Sequence, residues 1–166
     1  MNTKKLTLLA MYTTIALTIF VAESALPPLL PIPGVKLGLA NIVTLWVLLS
    51  GSFKDALCVL LLRIVLGSIF AGQMVSFAYS LSGGLLCLLV MALLYCLLGE
   101  KQLITISIMG AVFHNIGQLL MAWGILQSLS VFIYLPILLV SAIATGAFTG
   151  MCTKLTYKRI KKLLPK

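Results

Sequence analysis

Long apolar runs, broken at only a few places, set the pattern of this chain. A helix crossing a bilayer core needs about 20 predominantly apolar residues. The first run spans 6–25, and Pro27, Pro28, Pro31 and Pro33 then stop any helix, because proline lacks the backbone donor and clashes with the preceding turn. A shorter run covers 37–50, Gly51-Ser52 makes a turn, and further runs cover 55–71 and 74–98. The polar turn Gly99-Glu100-Lys101-Gln102 separates them from runs at 103–127 and 131–157, and a basic tail occupies 158–166. The pattern predicts a single all-α domain: a polytopic membrane protein built as a six-transmembrane-helix bundle.

Composition agrees with lipid as the main solvent. Hydrophobic residues make up 61% of the 166 positions and charged residues 9%, against roughly 25% charged in a soluble domain. Mean hydropathy is +1.18. Cys58, Cys87, Cys96 and Cys152 lie in apolar stretches without a CxxC pair, and are read as small packing residues.

The net charge of +9 would suggest nucleic acid in a soluble protein. Here the charge flanks the apolar runs, so topology and anionic lipid head groups account for it and no nucleic-acid partner is expected. With the N-terminus inside, Lys4, Lys5, Lys54, Lys101, Lys154, Lys158, Arg159, Lys161, Lys162 and Lys166 all face the cytoplasm, and only Lys36 lies in an outer loop. This bias predicts a multi-pass protein of the cell membrane with both termini cytoplasmic. Lys4-Lys5, the first apolar run and Ala22-Glu23-Ser24-Ala25 loosely fit a secretory signal. Removing it would leave five helices and put the basic tail opposite the other cytoplasmic loops, so the segment is read as retained.

Helices in lipid associate through small residues that let backbones approach. Gly110, Gly117 and Gly124 recur at spacing seven, and Ala142, Gly146 and Gly150 at spacing four. Both stripes are candidates for packing inside the bundle or for docking a partner membrane protein. Ser76, Ser80 and Gly84 form a third.

Charge at membrane depth is costly and marks function by default. Arg63 lies eight residues beyond Asp55, roughly 12 Å up its helix. His114 shares a helical face with Gly110, Gly117 and Met121, which aims it into the bundle. Gln118 is one turn above it and Asn115 lies to the side. A second layer contains Glu23, Asn41, Tyr79 and Ser80, with Lys36 at the outer loop. Together these residues outline a polar pocket opening outward and closed below by Arg63 and His114. By helix rise alone Glu23 stands roughly 13 Å above Arg63, which leaves no carboxylate at the arginine's level. Arg63 then binds an anionic or strongly polar part of a small-molecule ligand, with His114 and Gln118 orienting it. Pairing, snorkelling and an interhelical hydrogen bond are the structural alternatives.

Several chemistries are excluded. No GxxxxGK[ST], HExxH or GxSxG occurs, and no Cys/His cluster has metal-ligand spacing. Asp55 is the only aspartate, so an aspartate-rich magnesium-diphosphate motif cannot be built. The sequence gives no reason to expect a cofactor, a metal or a self-sufficient enzyme.

The stretch Leu26-Pro-Pro-Leu-Leu-Pro-Ile-Pro-Gly-Val-Lys-Leu-Gly-Leu-Ala-Asn-Ile-Val-Thr-Leu45 resembles the family called heptaprenyl diphosphate synthase component I, or Gx transporter. So do Arg63-Ile-Val-Leu-Gly-Ser68, Tyr79-Ser-Leu-Ser-Gly-Gly84 and Gly110-Ala-Val-Phe-His-Asn-Ile-Gly-Gln118. That family is similar to the six-helix substrate-binding S components of energy-coupling factor (ECF) transporters. The resemblance implies capture of a vitamin- or cofactor-like small molecule from outside, with a separate transmembrane coupling subunit and ATPases as partners. The enzyme name implies instead an accessory, non-catalytic subunit in polyprenyl diphosphate and menaquinone metabolism. S components often carry an alanine-xxx-alanine pair on helix 1; here the nearest equivalents are Thr14, Thr18 and Ala22.

Overall fold

A computed structural model describes residues 3–25, 36–71 and 74–163. The prolines 27, 28, 31 and 33 lie outside the described residues. Within them are six α-helices: α1 (Thr3–Ser24), α2 (Asn41–Ser50), α3 (Phe53–Ala71), α4 (Met74–Leu98), α5 (Leu103–Leu126) and α6 (Leu135–Leu163). Short 3-10 turns, Gly99–Gln102 and Leu129–Tyr134, precede α5 and α6.

Among the described residues, three stretches are long and apolar enough to cross a membrane: Thr3–Ser24, Met74–Leu126 and Leu129–Arg159. These mark a membrane protein. The second stretch is 53 residues long and folds back on itself at Gly99, whose φ of +66° favours a residue without Cβ. The fold-back is antiparallel, since Gly83 meets His114 and Gly117 while Met91 meets Gly110. α2 has only 10 residues, roughly 15 Å of helix, about half of a bilayer core. The expected run of 37–50 is therefore shortened at its start. Residues 36–40 are not helical, and the first helical turn begins at Asn41.

The last helix also differs from expectation. Its start moves from 131 to Leu135 because a 3-10 turn fills Leu129–Tyr134. Pro136 falls in the first helical turn, where its missing N–H costs nothing. The helix continues to Leu163, so most of the basic tail is an extension of α6.

α1 and α3 run parallel. Lys5 pairs with Asp55 at 2.7 Å near one end, and Phe20 packs against Gly67 near the other. The main core joins Ala16, Leu45, Val59, Leu60, Ile64, Leu88, Met91 and Ile106 from α1 to α5. A second cluster, Tyr79, Leu119, Ala122, Val131 and Leu138, seals α4, α5 and α6 at the opposite end from the basic residues.

Candidate polar site between helices 1, 2, 3 and 5

Residues 36–40 carry non-helical backbone into the interior of the bundle. Gly38 has φ +79°, and a Cβ built on it would lie 2.7 Å from His114 Cδ2 and 2.8 Å from Asn41 Nδ2. Only glycine fits a left-handed conformation this tightly faced. Buried irregular backbone needs partners for its donors. Glu23, at the end of α1, supplies them: the Gly38 and Leu39 N–H groups donate to its two carboxylate oxygens at 2.7 and 3.0 Å. Glu23 is 7% exposed, and its task is legible from these two bonds.

Arg63 is 2% exposed. Its Nη2 donates to Asn41 Oδ1 at 3.3 Å, while its buried Nε has no partner. Arg63 and Glu23 act on each other electrostatically without forming an ion pair within 4.0 Å; among the described residues the pair at that distance is Lys5–Asp55. The expectation that no carboxylate stands near Arg63 is therefore corrected. Two long side chains narrow the gap that helix rise suggested, the guanidinium reaching beyond its own Cα and the Glu23 carboxylate beyond its own.

Phe20 lies between two cations. Lys36 Nζ is 3.4 Å from the ring centroid, and the Arg63 guanidinium carbon is 5.9 Å from it. The negative face of an aromatic ring suits both positions. Lys36 also donates to Ser24 Oγ at 2.6 Å. Burial lowers the Lys36 ammonium to about 8 from its usual 10.5; Glu23 opposes the shift and Arg63 adds to it.

On α5, His114 Nε2 and Gln118 Nε2 stand 3.0 Å apart, both fully buried. His114 Nδ1 and Gln118 Oε1 lack hydrogen-bond partners. The structure thus brings Glu23, Asn41, Arg63, His114 and Gln118 to one place. It does not bring Asn115 there: that side chain points the other way and donates to Leu138 O on α6 at 2.8 Å. Tyr79 packs in the second apolar cluster. Phe20 and Gly38 belong to the site and were missed. A phenylalanine in an apolar run carries no signal of its own, and Gly38 reads as one more loop glycine.

The small residues meet helices of the same chain. The Cβ position of Gly117 is 2.8 Å from Gly83 Cα; that of Gly110 faces Met91; those of Gly146 and Gly150 lie 2.6 and 2.8 Å from the Cα atoms of Ile108 and Ile104. Ala142 is fully buried. Gly124 faces open space, with nothing within 4 Å.

A buried cation with one long hydrogen bond, beside unpartnered donors and acceptors, can hold a small anionic or polar group. No curated protein and no solved structure matches the chain. The family described as heptaprenyl diphosphate synthase component I matches residues 12–156, nearly all of the helical bundle just described, and the chain belongs to that family.

Proposed function

We propose that this protein is a non-catalytic, membrane-embedded ligand-binding subunit resembling the S components of ECF transporters. It takes up a small anionic molecule and passes it on through a transmembrane coupling subunit and ATPases. The observation that carries this reading is Arg63: among the described residues, a fully buried guanidinium with a single 3.3 Å hydrogen bond and an unpartnered Nε. An uncompensated arginine at membrane depth costs about 2.5–3.5 kcal/mol on insertion scales, and Glu23 spends its oxygens on backbone N–H groups instead. A ligand anion would complete the set.

The bundle crosses the membrane six times with both termini cytoplasmic. Lys5 pairs with Asp55 and Tyr157 with Glu100 toward one end, where most of the lysines lie, and Lys36 stands toward the other. This is the asymmetry the positive-inside rule describes.

Native mass spectrometry of the gently purified protein tests the reading. A co-purified small anion is expected from the wild type and not from Arg63→Met, with both proteins monodisperse. Unfolding of Arg63→Met, or retention of the ligand by it, overturns the reading.

The family's description favours a second reading, an accessory subunit of a prenyl diphosphate synthase. Prenyl diphosphate synthesis by a partner component, with and without this chain, separates the two. A rate that depends on this chain, in the absence of any uptake, selects the second.

A further inference from the structure

A small cavity of about 10 Å³ lies beside the Arg63 cluster, lined by Asn41, Ser107, Thr145, Thr149, Cys87 and Met91 among others. That is room for about one water molecule or one hydroxyl group. Its polar atoms are unusually well defined. The Asn41 amide bridges the two spaces: its Oδ1 accepts from Arg63, and its Nδ2, buried, has no partner. Asn41 is 8% exposed, and its Nδ2 lies on the side of Gly38, which also lines the cavity.

The opposite wall is set by a chain of hydroxyls. The Thr149 hydroxyl donates to Thr145 O at 2.9 Å. Its single proton is thereby used, so in the 2.9 Å contact with Ser107 Oγ it is the serine that donates. The lone pairs of Ser107 Oγ are left free. The cavity therefore presents one unpartnered donor, Asn41 Nδ2, and, across from it, the hydroxyl acceptors of Ser107, Thr145 and Thr149. Only a group that accepts and donates at once satisfies both.

We infer that this cavity is a second subsite, which seats a neutral hydroxyl of the same ligand whose anionic group is held by Arg63. The inference rests on the reading of Arg63 as an anion site. Because the Asn41 amide touches both spaces, the charge and the hydroxyl belong to one small ligand. The class is a small hydroxylated anion, of which a 2-hydroxycarboxylate is the simplest form.

The 2-hydroxycarboxylate lactate and its deoxy counterpart propionate serve as probes, with full-length protein in nanodiscs and binding read by titration calorimetry. Lactate is expected to bind the wild type about tenfold or more tightly than propionate, because the deoxy acid leaves the buried Asn41 Nδ2 unpaired. In Ser107→Ala the preference should shrink, because the hydroxyl keeps Asn41 Nδ2 and loses one acceptor. Equal binding of both probes to the wild type, lost in both cases on Arg63→Met, overturns the subsite and leaves the anion site standing; the cavity then holds a permanent water. Preference for lactate that survives Arg63→Met overturns the anion site. Binding of neither probe to the wild type overturns the subsite, and the co-purified ligand in native mass spectrometry then decides the anion site separately.

Discussion

The two halves of this bundle are joined by different chemistry. α4, α5 and α6 meet through missing side chains: Gly83 against Gly117, Gly146 against Ile108, Gly150 against Ile104. Backbones touch, and Ser82 Oγ donates to Gly117 O across the α4–α5 contact at 2.7 Å. α1, α2 and α3 meet through long side chains: Phe20 against Gly67, Arg63 to Asn41, Glu23 to the Gly38–Leu39 backbone. In lipid no hydrophobic force draws helices together, so close packing is what holds the first half. The second half surrenders close packing around a buried charge, and unpartnered polar atoms border it from both halves, Arg63 Nε and Asn41 Nδ2 on one side and His114 Nδ1 and Gln118 Oε1 on the other. A rigid wall and a polar, incompletely satisfied wall face each other, and the candidate site lies between them.

The largest effect is expected where the rigid wall is tightest. Gly117→Leu would place Cβ 2.8 Å from Gly83 Cα and from Ser82 O, atoms that cannot rotate away. The cost should exceed the about 1–3 kcal/mol of ordinary overpacking, and the protein should lose its monodisperse peak in detergent. Gly124→Leu, on the same stripe but facing open space, should leave that peak unchanged. Equal behaviour of the two variants would erase the contrast between the halves.

Gly38→Ala acts on the polar wall. The left-handed φ and the contacts with His114 and Asn41 oppose a methyl group, at a cost of about 1–3 kcal/mol for a strained backbone residue. The bundle should still assemble, because the α4–α5–α6 contacts are untouched. Ligand retention in native mass spectrometry should fall about tenfold or more. A variant that loses assembly rather than ligand would show that residues 36–40 hold the fold.

Much of the rigid wall was legible in the sequence, and much of the polar wall was not. The spacing of Gly110, Gly117, Gly146 and Gly150 fixes a helical face whatever the neighbours are. The depth of Arg63 and His114 also follows from helix rise. The relation between Glu23 and Arg63 does not, because it depends on how far the two side chains extend from their backbones. Nor does the dip of residues 36–40 into the bundle, which shortened α2 to start at Asn41. Tyr79 and Asn115 show the limit in the other direction. Depth and polarity put both in the predicted pocket, yet direction around the helix turns them toward α6 and its preceding turn.

A smaller effect is expected at the basic end. There Trp46 Nε1 donates to Tyr12 Oη at 3.1 Å, and the Trp46 and Tyr157 rings meet edge to face, 5.7 Å apart. Tyr12→Phe removes the acceptor and keeps the ring. The loss should be about 1 kcal/mol, that of one partly buried hydrogen bond, read as a lowered unfolding midpoint with ligand retention unchanged. A change in retention would mean that the two ends of α2 are coupled.

The smallest effect, and the one with two opposite signs, concerns Lys36. Its ammonium is lowered to about 8 in the fold, chiefly by burial, whereas in the unfolded chain it keeps its ordinary value of about 10.4. Below about pH 8 both states carry the proton, so the penalty of the half-buried charge is fully present. Between about 8 and 10.4 the folded state releases the proton while the unfolded state retains it. Unfolded chain then binds more protons, and stability rises with pH across that window. Solvent screens this half-exposed group, so the slope should be shallow. Anion binding runs the other way: the field of Lys36 over Phe20 helps attract the ligand, and its loss above about pH 8 should weaken retention. Unfolding midpoints and ligand retention measured from pH 6.5 to 9.5 on wild type and Lys36→Met test both signs. The wild type should gain slightly in stability and lose ligand as pH rises, and Lys36→Met should be flat in both. A wild type that lost stability through this window would mean that the charge of Lys36 supports the fold, against its burial beside Arg63.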